Sequence, residues 1–213
     1  MKNADGYLPH HITITGNPNA VLVLNANGAS PSAASSAVSP VNTLLDVYNR
    51  RDDRRLVTLT PAKSALAIGR DKFEVSLTSR EAGYVYLLMV GSDGKTFDML
   101  FPNALDNNNA IAAGETARLP RADWEVMAHG PPGKNFLLAI VSDAPRDFAR
   151  LGMQPAGPFS VVDATPLAAK DIVLVSGSSA SAGTPECADA PLVVQKKCSN
   201  AYGAALATIE EVQ

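Results

Sequence analysis

The sequence has few of the residues on which common catalytic and metal-binding motifs depend. Its 213 residues include three histidines, two cysteines and one tryptophan. No Gly-x-Ser-x-Gly motif occurs, which excludes the nucleophile turn of an α/β-hydrolase. His10 and His11 are adjacent and would point to opposite faces of a strand, so they are poorly placed to bind one metal ion. We therefore expect no metal, no cofactor and no catalytic residues in this chain.

Long apolar runs and an excess of positive charge are also missing. The longest apolar run, Tyr84 to Val90, has seven residues, whereas a membrane helix needs about 20. The first residues lack the apolar core of a signal peptide, so we expect any leader or anchor to lie upstream and the chain to be a fragment. The 18 Lys and Arg residues against 21 Asp and Glu residues give a net charge of −3, which argues against nucleic acid as a partner.

The two cysteines, Cys187 and Cys198, lie close together in a region rich in loop-forming residues. Two free thiols are the alternative, but an isolated pair in such surroundings favours a disulfide. Closing a loop of this size would stabilise the fold by about 3 kcal/mol. Because disulfides persist in oxidising compartments, we expect a periplasmic or extracellular location.

Differences in composition predict three segments. Residues 1–27 hold two short β-prone runs around a turn and are predicted to form an N-terminal β-hairpin extension. Residues 28–40 are rich in Ser and Pro and are predicted to be a linker. Residues 41–213 are predicted to form the main β-rich domain, beginning with a docking helix near 41–51 that Ser39-Pro40 would start.

After this helix the hydrophobic pattern becomes that of β-strands. Lys72 to Thr78 alternates apolar and polar residues, which predicts a strand with one buried face. Tyr84 to Val90 does not alternate and is typical of a central strand covered on both faces. In the next strand we expect Phe97, Met99 and Phe101 to share one face.

Further segments complete a mainly β fold. Pro145–Leu151 is predicted to be a second helix, and for Asn200–Val212 a closing strand is favoured over a helix. Further strands are predicted at Glu115–Leu119, Asp123–Met127 and Asn135–Val141. About seven or more short strands separated by turns predict a β-sandwich or partly open barrel with one or two short helices.

The most polar cluster, Asp106 to Asn109, is the first candidate for a functional site. Oxygen-rich loops can hold Ca²⁺, but one carboxylate without a spaced Asp-x-Asp pattern favours a structural corner. Trp124 could contact a ligand, but the alternative is a structural role in the core. An ion pair between Arg146 and a nearby aspartate could either order a loop or form part of the rim of a ligand site. The predicted binding residues are Asn103, Asp106, Asn107, Asn108, Asn109, Arg121, Trp124, Arg146 and Asp147.

His129 and Cys187 invite comparison with a cysteine protease dyad, in which an imidazole activates a thiolate. His129 lies in a turn-rich loop, and Cys187 follows a Gly-Thr-Pro-Glu loop with Cys198 as its expected disulfide partner. A hydrolase is therefore the less favoured alternative.

Several motifs together resemble a bacterial domain of unknown function. Within about residues 57–148 they include Gly83-Tyr-Val-Tyr-Leu-Leu, Gly94-Lys-x-Phe-Asp-Met-Leu-Phe-Pro-Asn103, Asp106-Asn-x-Asn109, Gly130-Pro-Pro-Gly133 and Pro145-Arg-Asp-Phe148. That domain occurs in the C-terminal, extracytoplasmic portion of membrane-anchored serine/threonine protein kinases and in some caspase-like or secreted proteins. The chain lacks the Gly-rich, His-Arg-Asp and Asp-Phe-Gly motifs of a kinase, so the resemblance does not imply kinase activity.

The resemblance implies a non-catalytic extracytoplasmic sensor or protein-interaction module. The chain would then be a fragment of a bacterial signalling kinase or of an envelope- or secretion-associated protein. Its partner would be a protein or a small-molecule ligand. The alternative is a structural component of an envelope or type VI secretion assembly, since some such kinases are associated with secretion systems.

Overall fold

The structure is a computed structural model that describes residues 39–121, 124–148, 153–163, 184–185 and 199–213. These residues belong to one compact unit, Ala37–Gln213. The predicted N-terminal hairpin and nearly all of the predicted linker lie outside the described residues. So do Cys187 and Cys198, and the disulfide and the domain boundaries remain predictions.

The described residues form one short helix and a set of strands in mixed sheets that do not close into a barrel. This confirms the predicted mainly β fold. The bounds are α1 Pro40–Asn49, β1 Val57–Pro61, β2 Ala65–Ala67, β3 Val75–Ser79, β4 Gly83–Val90, β5 Thr96–Phe101, β6 Ala110–Ile111, β7 Thr116–Leu119, β8 Gly133–Ser142, β9 Arg146–Asp147, β10 Gln154–Ala156, β11 Phe159–Asp163, β12 Thr184–Pro185 and β13 Tyr202–Val212.

Two sheets pack face to face. The smaller sheet has the order β1-β3-β7, and the larger has the order β10-β11-β5-β4-β8-β13-β2, with β6 paired to β4. The long strands β4, β8 and β13 lie side by side and are antiparallel, whereas β13 and β2 are parallel. Strands β9 and β12 form a separate antiparallel pair.

The central strands of the larger sheet, β4 and β8, are buried on both faces, and this explains the absence of alternation in β4. Val85 and Leu87 belong to a first core cluster between the two sheets. Tyr86, Leu88 and Val90 belong to a second core cluster on the opposite face. Tyr84 to Val90 is therefore a central strand, as its continuous apolar run predicts.

Helix α1 covers the second cluster. It begins at Pro40 after Ser39, whose backbone is extended, and it ends at Asn49. Pro is suited to the first helical position because its missing N–H has no intrahelical partner there. Leu44 and Val47 are buried against the sheet, and the Tyr202 hydroxyl of β13 donates a hydrogen bond of 2.8 Å to the Val47 carbonyl.

A β-bulge in β5 overturns the prediction that Phe97, Met99 and Phe101 share one face. Phe101 pairs with Leu87 and Met99 pairs with the next residue of β4, so Leu100 is the extra residue. An extra residue shifts the alternation of side chains by one position. Phe97 and Met99 therefore pack in the second cluster, whereas Leu100 and Phe101 pack in the first.

Two other element predictions were wrong in the described residues. The predicted helix at Pro145–Leu151 begins instead as strand β9, where the Arg146 N–H donates to the Tyr86 hydroxyl at 2.6 Å. This contact and the pairing with β12 hold the backbone extended. Of the described residues 124–127 in the predicted strand Asp123–Met127, only Met127 makes a β-bridge. The closing strand near the C-terminus is confirmed as β13.

Candidate ligand-binding site

The polar corner consists of residues 103–109 together with Arg121 and Trp124. It follows β5 and is organised by Asn103. Its buried amide nitrogen donates to the Leu100 carbonyl at 2.9 Å. Its side-chain oxygen accepts the backbone N–H groups of Leu105 and Asp106, each at 2.9 Å. Asn side chains commonly complete turns in this way. The Asn103 side chain is therefore engaged by the turn itself.

Asp106 binds two further predicted residues of the corner, Arg121 and Trp124. Its carboxylate accepts hydrogen bonds from Arg121 Nε at 2.6 Å, from Arg121 Nη2, and from Trp124 Nε1 at 3.1 Å. The Arg121 guanidinium also lies 4.9 Å from the centre of the Phe101 ring. Trp124 is buried and packs edge-on against Phe159, with 5.8 Å between the ring centres. Charge-assisted bonds from Arg to a carboxylate are strong, so this network stiffens the corner.

The remaining predicted residues divide between the corner and another part of the fold. Asn107 and Asn108 are exposed, and Asn109 is half-buried and donates to the Val85 carbonyl at 3.1 Å. Seven of the nine residues thus lie together. Arg146 and Asp147 are in β9, where Arg146 is buried and donates to the Asn200 carbonyl at 2.6 Å. A binding role for these nine residues stays a prediction.

A cavity of about 370 Å³ lies at the end of the sandwich where β4 turns into β5. Its floor consists of Leu100, Leu137 and Ile209, which are buried residues of β5, β8 and β13. Phe159 of β11 and Phe73, which precedes β3, line its walls. We call this the end cavity. Its volume is within the range of roughly 300–1,000 Å³ that is typical of small-molecule sites.

The rim of the end cavity is polar. Thr96 and Asp98 lie on the same side of β5 as Leu100, because alternate residues of a strand face one way. Asp93 from the β4–β5 turn, His129 from the β7–β8 loop and Glu211 from β13 also line it. An apolar floor with a few polar groups at its edge is the usual composition of a ligand pocket.

Hydrogen bonds between three segments hold this rim in place. Ser92 Oγ donates to the Pro131 carbonyl at 2.8 Å, and Ser92 N donates to Asn135 Oδ1 at 3.0 Å. Gly130 N donates to Glu211 Oε2 at 2.5 Å. A Cβ atom on Gly133 would lie 2.9 Å from Ser92 Cβ, so the close approach of loop and turn requires glycine there. The β4–β5 turn, the β7–β8 loop and β13 therefore form one connected rim.

The electrostatic character of the end cavity is acidic. Burial raises the pKa of the Asp98 carboxyl; the hydrogen bond with Thr96 opposes this increase, and the negative charge of Asp93 adds to it. Asp93 itself forms an ion pair of 3.5 Å with Lys95. Among the described residues that line the cavity, three are Asp or Glu and none is Lys or Arg. The cavity therefore presents negative charge to a ligand.

Asp98 and Glu211 are not among the residues predicted from the sequence, and His129 is predicted only as a candidate base. One signal was available: Asp98 is a charged residue inside an otherwise apolar strand, Phe97 to Phe101. The proposed partner of His129, Cys187, lies outside the described residues. Within the described ranges, no group of three or more His, Cys, Asp and Glu side chains is arranged to hold a metal ion. In those same ranges, no helix has the length and apolar character needed to cross a membrane.

The described unit is thus a two-sheet β domain with a preformed acidic cavity. Residues 65–145 match the family model of a domain of unknown function (DUF4384). The match extends from β2 through β8 and includes the polar corner and most of the rim; α1, the β10–β11 hairpin and β13 lie outside it. No curated protein and no solved structure matched the chain significantly.

Proposed function

We propose that this protein is a non-catalytic recognition module that acts outside the cytoplasm and binds its ligand in the end cavity. The observation that carries the proposal is the combination of a buried apolar floor with a polar rim fixed by hydrogen bonds. Preformed sites bind with a smaller ordering cost than sites that must assemble around the ligand.

The polar corner is in contact with the wall of the end cavity. Its carboxylate and its buried amide are engaged by protein donors and acceptors, which leaves them little capacity for a ligand. Trp124, which donates to the corner carboxylate, also contacts Phe159 in the cavity wall. The corner therefore acts as a rigid support for the β5 and β11 side of the cavity.

Two expectations from the sequence support a location outside the cytoplasm. One is the predicted pairing of Cys187 with Cys198. The other is the resemblance to a domain that occurs in the extracytoplasmic portion of membrane-anchored kinases. Protein isolated from its native compartment is expected to be about 2 Da lighter before reduction than after it, because a disulfide lacks the two thiol hydrogens. Free thiols in that material would contradict the proposed location.

The cavity is tested by blocking its mouth. Ala156 is an exposed residue of β10 that lines the cavity, and Ala113 is an exposed residue outside it. In amide NMR spectra, 1-pentanol is expected to shift resonances of cavity residues in the wild type and in Ala113→Trp, but not in Ala156→Trp. Shifts that persist in Ala156→Trp, or that lie elsewhere in the protein, would overturn the assignment of the site.

A ligand that binds in a cavity within one chain does not require the protein to oligomerise. Light scattering is therefore expected to give a mass that does not change with protein concentration. A mass that increases with concentration would instead favour the structural component of an envelope or secretion assembly.

A further inference from the structure

Among the described residues, the charged side chains that line the end cavity, Asp93, Asp98 and Glu211, are all acidic, and this restricts the ligand. We propose that the ligand is an organic cation, with an ammonium or guanidinium group on a short apolar body. This inference rests on the proposed function, because it takes the end cavity to be the binding site. It adds the chemical class of the ligand and the residue that recognises it, Asp98.

The apolar body is accommodated by the floor of the cavity. Leu100, Leu137 and Ile209 are at most 3% exposed, and Phe159 stands beside them in the wall. Covering this surface with an aliphatic ligand would remove apolar area from water, and the free energy of binding becomes more favourable as this area increases. Such a floor favours a stem of several carbon atoms over a bare inorganic cation.

The cationic group is accommodated by Asp98. This carboxyl is partly desolvated in the cavity, and the charged group that acts on its pKa, Asp93, carries the same sign of charge. Among the described residues, neither Asp98 nor Glu211 has a Lys or Arg side chain within ion-pair distance. A desolvated carboxylate without a countercharge is costly, and a ligand cation would remove that cost.

The same features argue against other ligand classes. An anionic ligand would meet Asp93, Asp98 and Glu211 with no cationic side chain among the described lining residues. A neutral ligand would leave the Asp98 charge uncompensated. The polar corner offers no competing carboxylate, because Asp106 is bonded to Arg121 and Trp124.

The test compares three probes with the same five-carbon chain: pentylamine, 1-pentanol and pentanoate. Titrations by NMR use the whole chain at slightly alkaline pH, where carboxyl groups are ionised and the amine is charged. Pentylamine is expected to bind in the end cavity about tenfold or more tightly than 1-pentanol, because a hydrogen bond to a charged group is stronger than one between neutral groups. Pentanoate is expected not to bind there.

Asp98→Asn is expected to abolish the preference for pentylamine while 1-pentanol still binds. The matched control is Asp46→Asn, which removes the same charge at an exposed position of α1 and should leave the preference intact. If 1-pentanol binds in the cavity but pentylamine gains no advantage, the inference fails while the cavity remains a ligand site. If no probe binds there, both the inference and the proposed function fail.

A second comparison distinguishes the two sources of such a cation. The peptide Gly-Gly-Lys-Gly-Gly carries the alkylammonium group on a backbone, and pentylamine carries it alone. Tighter binding of the peptide identifies a basic side chain of a protein partner as the ligand, and tighter binding of pentylamine identifies a free amine. The inference is supported if Asp98→Asn weakens the binding of whichever probe binds the wild type more tightly. It is overturned if wild type and Asp98→Asn bind both probes with equal affinity.

Discussion

Asp98 in β5 and Asp106 in the turn after it have opposite electrostatic environments. The Asp106 carboxylate is 12% exposed and is surrounded by donors from Arg121 and Trp124. The Asp98 carboxyl is also partly buried, but burial is the largest influence on its pKa and raises it. We interpret Asp106 as a structural residue. We interpret Asp98 as a binding residue whose charge a cationic ligand would neutralise. This difference leads to opposite expectations for stability.

Asp106→Ala should destabilise the protein by about 1–3 kcal/mol, because it leaves the buried Trp124 N–H and part of the Arg121 guanidinium without their acceptor. Urea unfolding at neutral pH measures the change. Asp46→Ala, at an exposed helix position, is the control and should change the free energy of unfolding by less than about 0.5 kcal/mol. Equal effects of the two substitutions would show that the corner network contributes nothing.

Asp98→Asn should increase stability at neutral pH. Because the pKa of Asp98 is raised in the folded state, the native protein binds more protons than the unfolded chain between the unfolded and folded pKa values. The wild type therefore loses stability as pH increases through this interval, and the cost is fully present above the folded pKa. Asn carries no such charge, so the advantage of the variant should vanish as pH falls below about 3.9.

Urea unfolding of both proteins across this pH range measures the difference. The other titratable groups that face Asp98 across the cavity, Asp93, His129 and Glu211, are present in both proteins. Their direct contributions therefore cancel to first order. A variant less stable than the wild type at neutral pH would contradict the expectation.

At the scale of elements, β13 shows how closely the strands approach one another. A Cβ atom at Gly203 would lie 2.8 Å from Val57 Cγ2 and would also collide with the Arg55 carbonyl. Strand β13 pairs with β8 at Gly203, so neither strand can shift without disturbing the ladder. The glycine is required because backbone of the segment leading into β1 passes directly over it.

Gly203→Ala should therefore destabilise the protein by about 1–3 kcal/mol, as overpacking usually does. Gly91→Ala is the matched control, because a Cβ atom there would meet its nearest atoms at ordinary distances of 3.6 and 3.8 Å. The midpoints of thermal unfolding of the two variants measure the difference. A Gly203→Ala midpoint equal to that of Gly91→Ala would show that the crossing segments separate without cost.

The elements also show what the sequence can and cannot predict. Strands β4 and β8 are predictable because a strand buried on both faces is apolar at successive positions, as in Leu137 to Val141. The β5 bulge is not, because Leu100 and Phe101 satisfy the apolar pattern in either register. The end cavity is not predictable either, since Phe73, Asp98 and Glu211 meet only through the packing of distant segments.

At the scale of the whole molecule, the larger sheet links two cores into one unit. Strands β4 and β8 contribute side chains to the cluster between the sheets and to the cluster under α1. The only tryptophan, Trp124, lies in the first cluster, whereas Leu44 of α1 lies in the second. Trp124 fluorescence therefore reports on the core that does not contain Leu44.

Leu44→Ala should lower the free energy of unfolding by about 2–5 kcal/mol, as expected for a leucine that is 1% exposed. Leu45→Ala is the control on the same helix, and its smaller loss reflects a side chain that is already 41% exposed. Because β4 and β8 share both clusters, the midpoint measured by Trp124 fluorescence should fall together with the midpoint measured by circular dichroism. A dichroism transition that shifts while Trp124 fluorescence does not would show that the two cores unfold separately, and that α1 does not stabilise the sheet that carries the end cavity.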